Sequence, residues 1–315
     1  MLIIDELFNG KFDKGTFIAL GSFDGLHLGH MSLINKTMEL AKENNALSMV
    51  YTFKNHPKTV VKGAVPPKLL TNNKFKLELL ERAGVDVSCL VTFDEEYMKI
   101  SAEDFIKLLI DTYNAKGFIV GFNYKFGYKN TGDVQFLKKL QEKYGFSLTV
   151  LDPLTYNEEI VSSSVIRKEI SEGDIEKAAL LLNRPYSISS TVIDGNKLGR
   201  KLGYPTANLK IDSDYIFPSF GVYYTNVLYD GKVYKGITSV GLNPTIKNKG
   251  FSIETHILNF NKDIYGNDIS IFFIKKIRHE VKFNSLEDLI ARLDLDKAFA
   301  EKEELHPYLL SFNRK

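Results

Sequence analysis

Only one cysteine occurs in the 315 residues, so no internal disulfide framework can form. That residue, Cys89, lies within the apolar run Val85 to Phe93 and reads as a small core side chain in a protein of a reducing compartment. No stretch approaches the about 18 consecutive apolar residues of a membrane-spanning helix. The N-terminal MLIIDELFNGKFDKG carries acids where a secretory leader carries a basic flank. The expected location is the cytoplasm, with no membrane partner. Net charge is also small: 41 Lys and Arg face 39 Asp and Glu, and no long basic run offers a footprint for nucleic acid. Long repeats and low-complexity segments are absent, and nothing in the sequence speaks to oligomeric state.

What is present is the composition of a folded protein, 44% hydrophobic and 25% charged, in a chain long enough for two domains. Up to residue 183, buried-strand patterns alternate with helical ones: Thr16 to Leu20, Leu47 to Phe53, Val85 to Phe93, Gly117 to Val120 and Ser147 to Leu151. Such alternation predicts a parallel, doubly wound α/β sheet with ligands beyond the carboxyl ends of its strands. Asp174 caps a short helix through Leu182, and Asn183 with Pro185 stops it, which sets domains of 1–183 and 184–315. Beyond Tyr186 strands follow one another without helices: Ser187 to Ile193, Gly221 to Tyr229, Lys232 to Val240, Ile253 to Phe260 and Ile269 to Ile277. An Asp-Gly turn at 230–231 marks a hairpin, and the pattern predicts an antiparallel barrel or sandwich. A last helix starts at a Ser285 cap and shows an apolar face of Leu286, Leu289, Ile290 and Leu293.

Between the first strand and the first helix lies Gly21-Ser-Phe-Asp-Gly-Leu-His-Leu-Gly-His30. Glycines 21, 25 and 29 let backbone amides approach a phosphate, and a helix N-terminus favours the negative charge. His27 and His30 can share one side of the first turn and donate hydrogen bonds to phosphoryl oxygens. Tight packing is the structural alternative for the glycines, and zinc for the histidines; zinc needs further ligands, which no Cys cluster or His-Glu-x-x-His motif supplies.

This segment resembles the GxFDGxHxGH signature of the nucleotidylyltransferase domain of bacterial bifunctional riboflavin kinase/FAD synthetases. Thr52-Phe-Lys-Asn-His-Pro57, Gly121-Phe-Asn-Tyr-Lys-Phe-Gly127 with Gly132-Asp133, and Ser162-Ser-Ser-Val-Ile-Arg167 resemble further motifs of that family, in order. The resemblance implies a Rossmann-like adenylyltransferase domain. In it Gly21, Phe23, Asp24, Gly25, Gly29, Ser163, Ser164 and Arg167 serve ATP, while Asn123, His56 and Pro57 serve the flavin. Taken alone, Ser162 to Ser164 reads as a helix cap. Two positions depart from the family: Ser164 replaces threonine and keeps the hydroxyl, whereas Asn130 stands where arginine is usual.

A second glycine-bearing run, Gly195-Asn-Lys-Leu-Gly-Arg-Lys-Leu-Gly-Tyr-Pro-Thr-Ala-Asn208, follows a strand of the β half and precedes no predicted helix. Gly195, Gly199 and Gly203 suit a loop cradle over phosphates; Thr206 and Asn208 offer uncharged oxygens for magnesium. The run resembles the riboflavin kinase signature GxxxGRxLGYPTAN, and Pro218 to Tyr224, Gly241 to Thr245, Glu254 to Leu258 and Asp263 to Gly266 resemble its other segments. The resemblance implies an antiparallel β-barrel kinase domain with Glu254 as the base. On a strand alone, Glu254 reads as a surface carboxylate, although Leu258 would share its face. The implied substrates and products are riboflavin, ATP, FMN and FAD, with Mg2+. Two other readings stay open: a kinase with an impaired adenylylation site, and a flavin-binding regulator. Intact His27, His30, Thr206, Asn208 and Glu254 weigh against the regulator.

Overall fold

A computed structural model describes residues 1–195, 198–243 and 250–314. The chain divides into two compact units, Met1–Ser163 and Ser164–Lys315.

The first unit is a six-stranded parallel sheet of β1 (Leu2–Ile4), β2 (Thr16–Leu20), β3 (Leu47–Phe53), β4 (Val87–Val91), β5 (Ala115–Gly121) and β6 (Ser147–Leu151), in the order β1-β4-β3-β2-β5-β6. Its helices are α1 (Leu28–Glu43), α2 (Asn73–Ala83), α3 (Ala102–Tyr113) and α4 (Val134–Tyr144). Side chains alternate between the faces: Phe17 and Ala19 pack with Ile34, Ala41 and Leu80 of α1 and α2. Ile18 and Leu20 pack with Phe105, Leu109 and Leu137 of α3 and α4. Cys89 is fully buried in the latter core, where burial pushes its thiol up to about 12. The strand order reverses between β2 and β5, the position at whose carboxyl ends open α/β sheets bind ligands. The three-residue β1 was not predicted; it pairs Leu2 with Val87 at the sheet edge and leaves Leu2 and Ile3 about half exposed. A small hairpin, β7 (Thr155–Tyr156) and β8 (Glu159–Ile160), precedes α5 (Ser163–Glu172).

Within the second unit, α6 (Ile175–Leu182) packs on β9 (Tyr186–Ile193) and β14 (Asp268–Arg278). The Asp174 side chain accepts from the Lys177 amide, and Asn183 ends the helix at φ 56°. A single turn, α7 (Leu198–Lys201), lies inside the glycine-bearing run, where no helix was predicted. It leads to β10 (Ala207–Leu209), β11 (Gly221–Tyr229), β12 (Lys232–Asn243) and β13 (Gly250–Ile257). With β9 and β14 these form a closed antiparallel barrel in the order β10-β13-β12-β11-β14-β9. Asp230 and Gly231, at φ 50° and 68°, make the tight turn between β11 and β12.

The C-terminal helix α8 (Leu286–Lys302), followed by α9 (Pro307–Leu310), keeps Leu289, Ile290 and Leu293 of the expected apolar face partly buried and leaves Leu286 outside it. Leu286 is 49% exposed, whereas Asp296 and Ala300 are the buried positions of α8. Asp296 receives both Nε and Nη2 of Arg278, at 2.9 and 2.8 Å to Oδ2, so the helix docks on β14 through a buried two-pronged ion pair.

Two candidate active sites

In the first unit β2 delivers the chain into the turn 21–27, in which Phe23, Gly25 and Leu26 all adopt left-handed backbone at φ 45°, 87° and 41°. Such backbone in a phenylalanine and a leucine costs about 1 kcal/mol or more each and persists where the surroundings hold it. They do: Phe23 and Leu26 are buried, and the Asp24 carboxylate accepts the Leu70 amide at 3.0 and 3.2 Å. Phe23 and Asp24, expected at the phosphates, are both buried in this turn.

His27 is the N-cap of α1, its Nδ1 accepting the His30 amide at 3.3 Å. An accepting Nδ1 places the proton of a neutral ring on Nε2. The two imidazoles stack at 3.6 Å between centroids, and Phe23 and His30 meet in a T-shaped pair at 5.2 Å. Gly29 passes beneath His27: a Cβ there would lie 3.3 Å from the ring. The Ser163 hydroxyl donates to the Asp24 carbonyl at 2.9 Å, so this serine secures the glycine turn. Ser164 and Arg167 lie on α5 in the second unit, exposed and half-buried respectively. Among the described residues, no three His, Cys, Asp or Glu side chains gather as a metal site.

Further loops gather at the same edge. After β3, His56 caps a turn through Nδ1, which accepts the Lys58 amide at 3.1 Å, and Pro57 occupies its first position. After β5, the Tyr124 amide closes on the Gly121 carbonyl at 3.0 Å and leaves Asn123 exposed at the turn. Asn130 sits at the exposed tip of the following loop with φ 56°. Its neighbour Lys129 places Nζ 5.2 Å from the Tyr128 ring. Phe53, Phe93 and Tyr97 cluster edge to face and tilted at 5.2 to 5.5 Å, an aromatic grouping scattered in sequence and not predicted. At the opposite end of the sheet a cavity of about 470 Å³, lined by Gly15, Phe17, Lys116 and Ser147 among others, contains none of these residues.

In the barrel, Asn208 on β10 pairs with Glu254 on β13 and with Ile193 on β9. The Thr206 hydroxyl donates to Glu254 Oε2 at 3.3 Å. Gly195 lies against Asn208, and a Cβ on it would sit 2.3 Å from the amide nitrogen. Gly199 lies on α7 with no room for a Cβ beside the Tyr204 carbonyl, and Gly203 is exposed at φ 84°. Asn196 and Lys197 of this run, and Pro244 and Thr245, lie outside the described residues.

Two supports of this loop were not legible beforehand. The Tyr204 hydroxyl donates to Asp294 of α8, and burial pushes that phenol up to about 12. His256 Nδ1 donates to the Pro205 carbonyl at 2.8 Å. Glu254 and His256 occupy the outer face of β13, while Ile253, Thr255 and Ile257 fill the barrel. Leu258, just past β13, is buried in a cluster with Ala300 of α8, whereas Glu254 and His256 are half-buried.

Residues 10–165 match the FAD synthetase family and residues 182–303 the riboflavin kinase family. A bifunctional riboflavin kinase/FMN adenylyltransferase of Listeria monocytogenes is 36% identical over 287 residues, 90% of this chain and 91% of that one. The chain belongs to the bifunctional riboflavin kinase/FMN adenylyltransferase family. The Escherichia coli K12 member is 33% identical over 291 residues, 92% of this chain and 93% of its own. A crystal structure titled as a macrolide-efflux protein from Streptococcus pneumoniae shares the fold at TM-score 0.88 and 28% identity, over 96% of this chain and all of that one. Among the described residues of the present family member, no helix is long and apolar enough to cross a membrane.

Proposed function

We infer that this protein phosphorylates riboflavin to FMN and adenylylates FMN to FAD, with ATP as the second substrate of both steps. The observation that carries this reading is that both constellations occur in one chain: stacked His27 and His30 at a helix N-terminus, and Thr206 with Glu254 beside Asn208. Adenylylation draws on residues 1–183 and phosphorylation on residues 184–315.

For adenylylation, an FMN phosphate oxygen attacks the α-phosphorus of ATP and pyrophosphate leaves. His27 and His30 donate to the oxygens on which charge accumulates, and the amides at the start of α1 hold the phosphates. The turn bearing Asn123, with His56 and Pro57, borders the flavin, whose flat ring suits the Phe53, Phe93 and Tyr97 cluster.

For phosphorylation, Glu254 accepts the proton of the ribityl hydroxyl as that oxygen bonds to the γ-phosphorus and ADP departs. Thr206 orients the carboxylate until substrate takes its place. Thr206 and Asn208 supply hard, uncharged oxygens next to a carboxylate, a donor set that fits Mg2+ bound together with nucleotide phosphates. When bound, the ion neutralises charge on the transferred phosphoryl group. The buried free thiol of Cys89 suits a reducing compartment, and we place the protein in the cytoplasm.

Incubation with riboflavin, ATP and Mg2+, with chromatographic separation of flavins, should yield FMN first and FAD after it. FMN alone supports a kinase with an impaired adenylylation site, the reading that exposed Asn130 favours. Flavin binding without either product supports the regulator.

A further inference from the structure

Lys76 lies on the first turn of α2, yet it is only 4% exposed. Its ammonium donates to the Ser22 carbonyl at 3.3 Å and the Phe53 carbonyl at 3.2 Å. Thr52 donates to the same Ser22 carbonyl at 2.8 Å. The charge that faces it is Asp24, whose carboxylate is itself held by the Leu70 amide. Burial depresses the lysine to about 8, with Asp24 opposing the shift.

Burying an ammonium on two carbonyls costs stability compared with an apolar side chain of the same length. The charge lies at the carboxyl end of the sheet, one residue from Phe23, which has left-handed backbone and packs T-shaped against the His30 ring. We propose that Lys76 is a positioning residue for adenylyl transfer: it clamps the ends of β2 and β3 so that Phe23 holds the histidine pair, and its charge lies beneath the phosphate-binding turn. This assignment rests on the adenylyltransferase reading above.

The test compares the full chain with Lys76→Met, following FAD formation from FMN, riboflavin phosphorylation and thermal unfolding between about pH 6.5 and 9.5. FAD-forming kcat should fall at least about tenfold, while KM for ATP and FMN stays within about twofold. Kinase activity should be unchanged and the melting temperature equal or higher. The wild-type rate should decline as pH rises through about 8, where Lys76 loses its proton, and the variant should lack that limb. Should Lys76→Met fail to fold, Lys76→Gln, which keeps two donors without charge, should show the lowered kcat and the missing limb. A variant with wild-type kcat, or one that keeps the alkaline limb, overturns the proposal. So does a loss accounted for by a reduced folded fraction. A wild-type chain that forms no FAD contradicts the functional reading itself, an outcome separate from normal FAD formation by the variant.

Discussion

Thr206 and Glu254 meet across the seam between β10 and β13, the hydroxyl donating to the carboxylate at 3.3 Å. The contact ties the end of a glycine-bearing loop to a strand of a closed barrel. A base on a barrel strand keeps its position, while the loop bearing Thr206 is held by Tyr204 on Asp294 and by Pro205 on His256. The proposed kinase site thus sets a carboxylate on a barrel strand against a loop secured at neighbouring residues.

Gly195→Ala tests the tightness of that arrangement, since its Cβ would lie 2.3 Å from the Asn208 amide. Asn208 must then shift, and KM for ATP in the kinase reaction should rise by about tenfold or more while FAD formation from supplied FMN is unchanged. Steady-state kinetics of both reactions on one preparation decide it; an unaltered kinase KM would remove Asn208 from the nucleotide site.

The burial of His256 predicts a pH dependence, which its hydrogen bond to Pro205 opposes. Desolvation holds His256 below its ordinary value of 6.5, and His306 is lowered for the same reason. Below pH 6.5 the unfolded chain binds the proton more readily than the folded one, so this stability is complete above 6.5 and is lost as pH falls through the depressed folded value. Thermal melts from about pH 7.5 to about 5.5 should therefore decline, and less steeply in His256→Gln, which keeps a donor for the carbonyl. Identical slopes would show that this histidine does not titrate with unfolding.

Asn130 occupies an exposed loop tip at φ 56°. Asparagine tolerates that backbone, and an arginine there costs about 1 kcal/mol more. If the tip faces the FMN phosphate, Asn130→Arg should still tighten FMN binding, with a gain that shrinks at high salt as an exposed charge pair is screened. Calorimetric titration at two ionic strengths is the measurement; equal FMN affinity at low salt places the tip away from the phosphate.

Gly173, at φ 88°, joins α5 to α6, and a Cβ there would lie 2.3 Å from Ser219 Oγ and 2.8 Å from Lys276 Nζ. Gly173→Ala should destabilise the barrel unit by about 1–3 kcal/mol through backbone strain and overpacking. Urea unfolding of the fragment 164–315 should show the shift, with kinase kcat unchanged below the transition. The fragment 184–315 should form FMN but not FAD, at a lower midpoint than 164–315. Equal midpoints would show that the helix pair contributes nothing to the barrel.

Much of this was legible in the sequence where burial leaves a plain pattern. β2, β3, β6 and β11 coincide with the runs read from composition, because continuous apolar or alternating stretches bounded by turn residues admit few other conformations. Strands β1 and β10, three residues each, are too short to carry a period. The buried face of α8 was read only in its first half, because it continues to Asp296, and an aspartate matched to Arg278 leaves no hydrophobic signature. Lys76 was invisible for a related reason: on an amphipathic helix a lysine reads as solvated, and only the fold brings the Ser22 and Phe53 carbonyls to it. The motif residues were legible as chemistry, but the Leu70 amide that holds the Asp24 carboxylate lies 46 residues away and was not.

The central claim, two reactions on two separate constellations, is tested most directly by assaying His30→Ala and Glu254→Gln side by side with riboflavin and with FMN as substrates. Glu254→Gln should lower riboflavin phosphorylation by about 10² to 10⁴-fold, the usual contribution of a positioned base, and should leave FAD formation from supplied FMN intact. His30→Ala should do the reverse, with FMN accumulating and little FAD formed. If either substitution depresses both reactions equally in a protein that remains folded, the assignment of one activity to each site is contradicted.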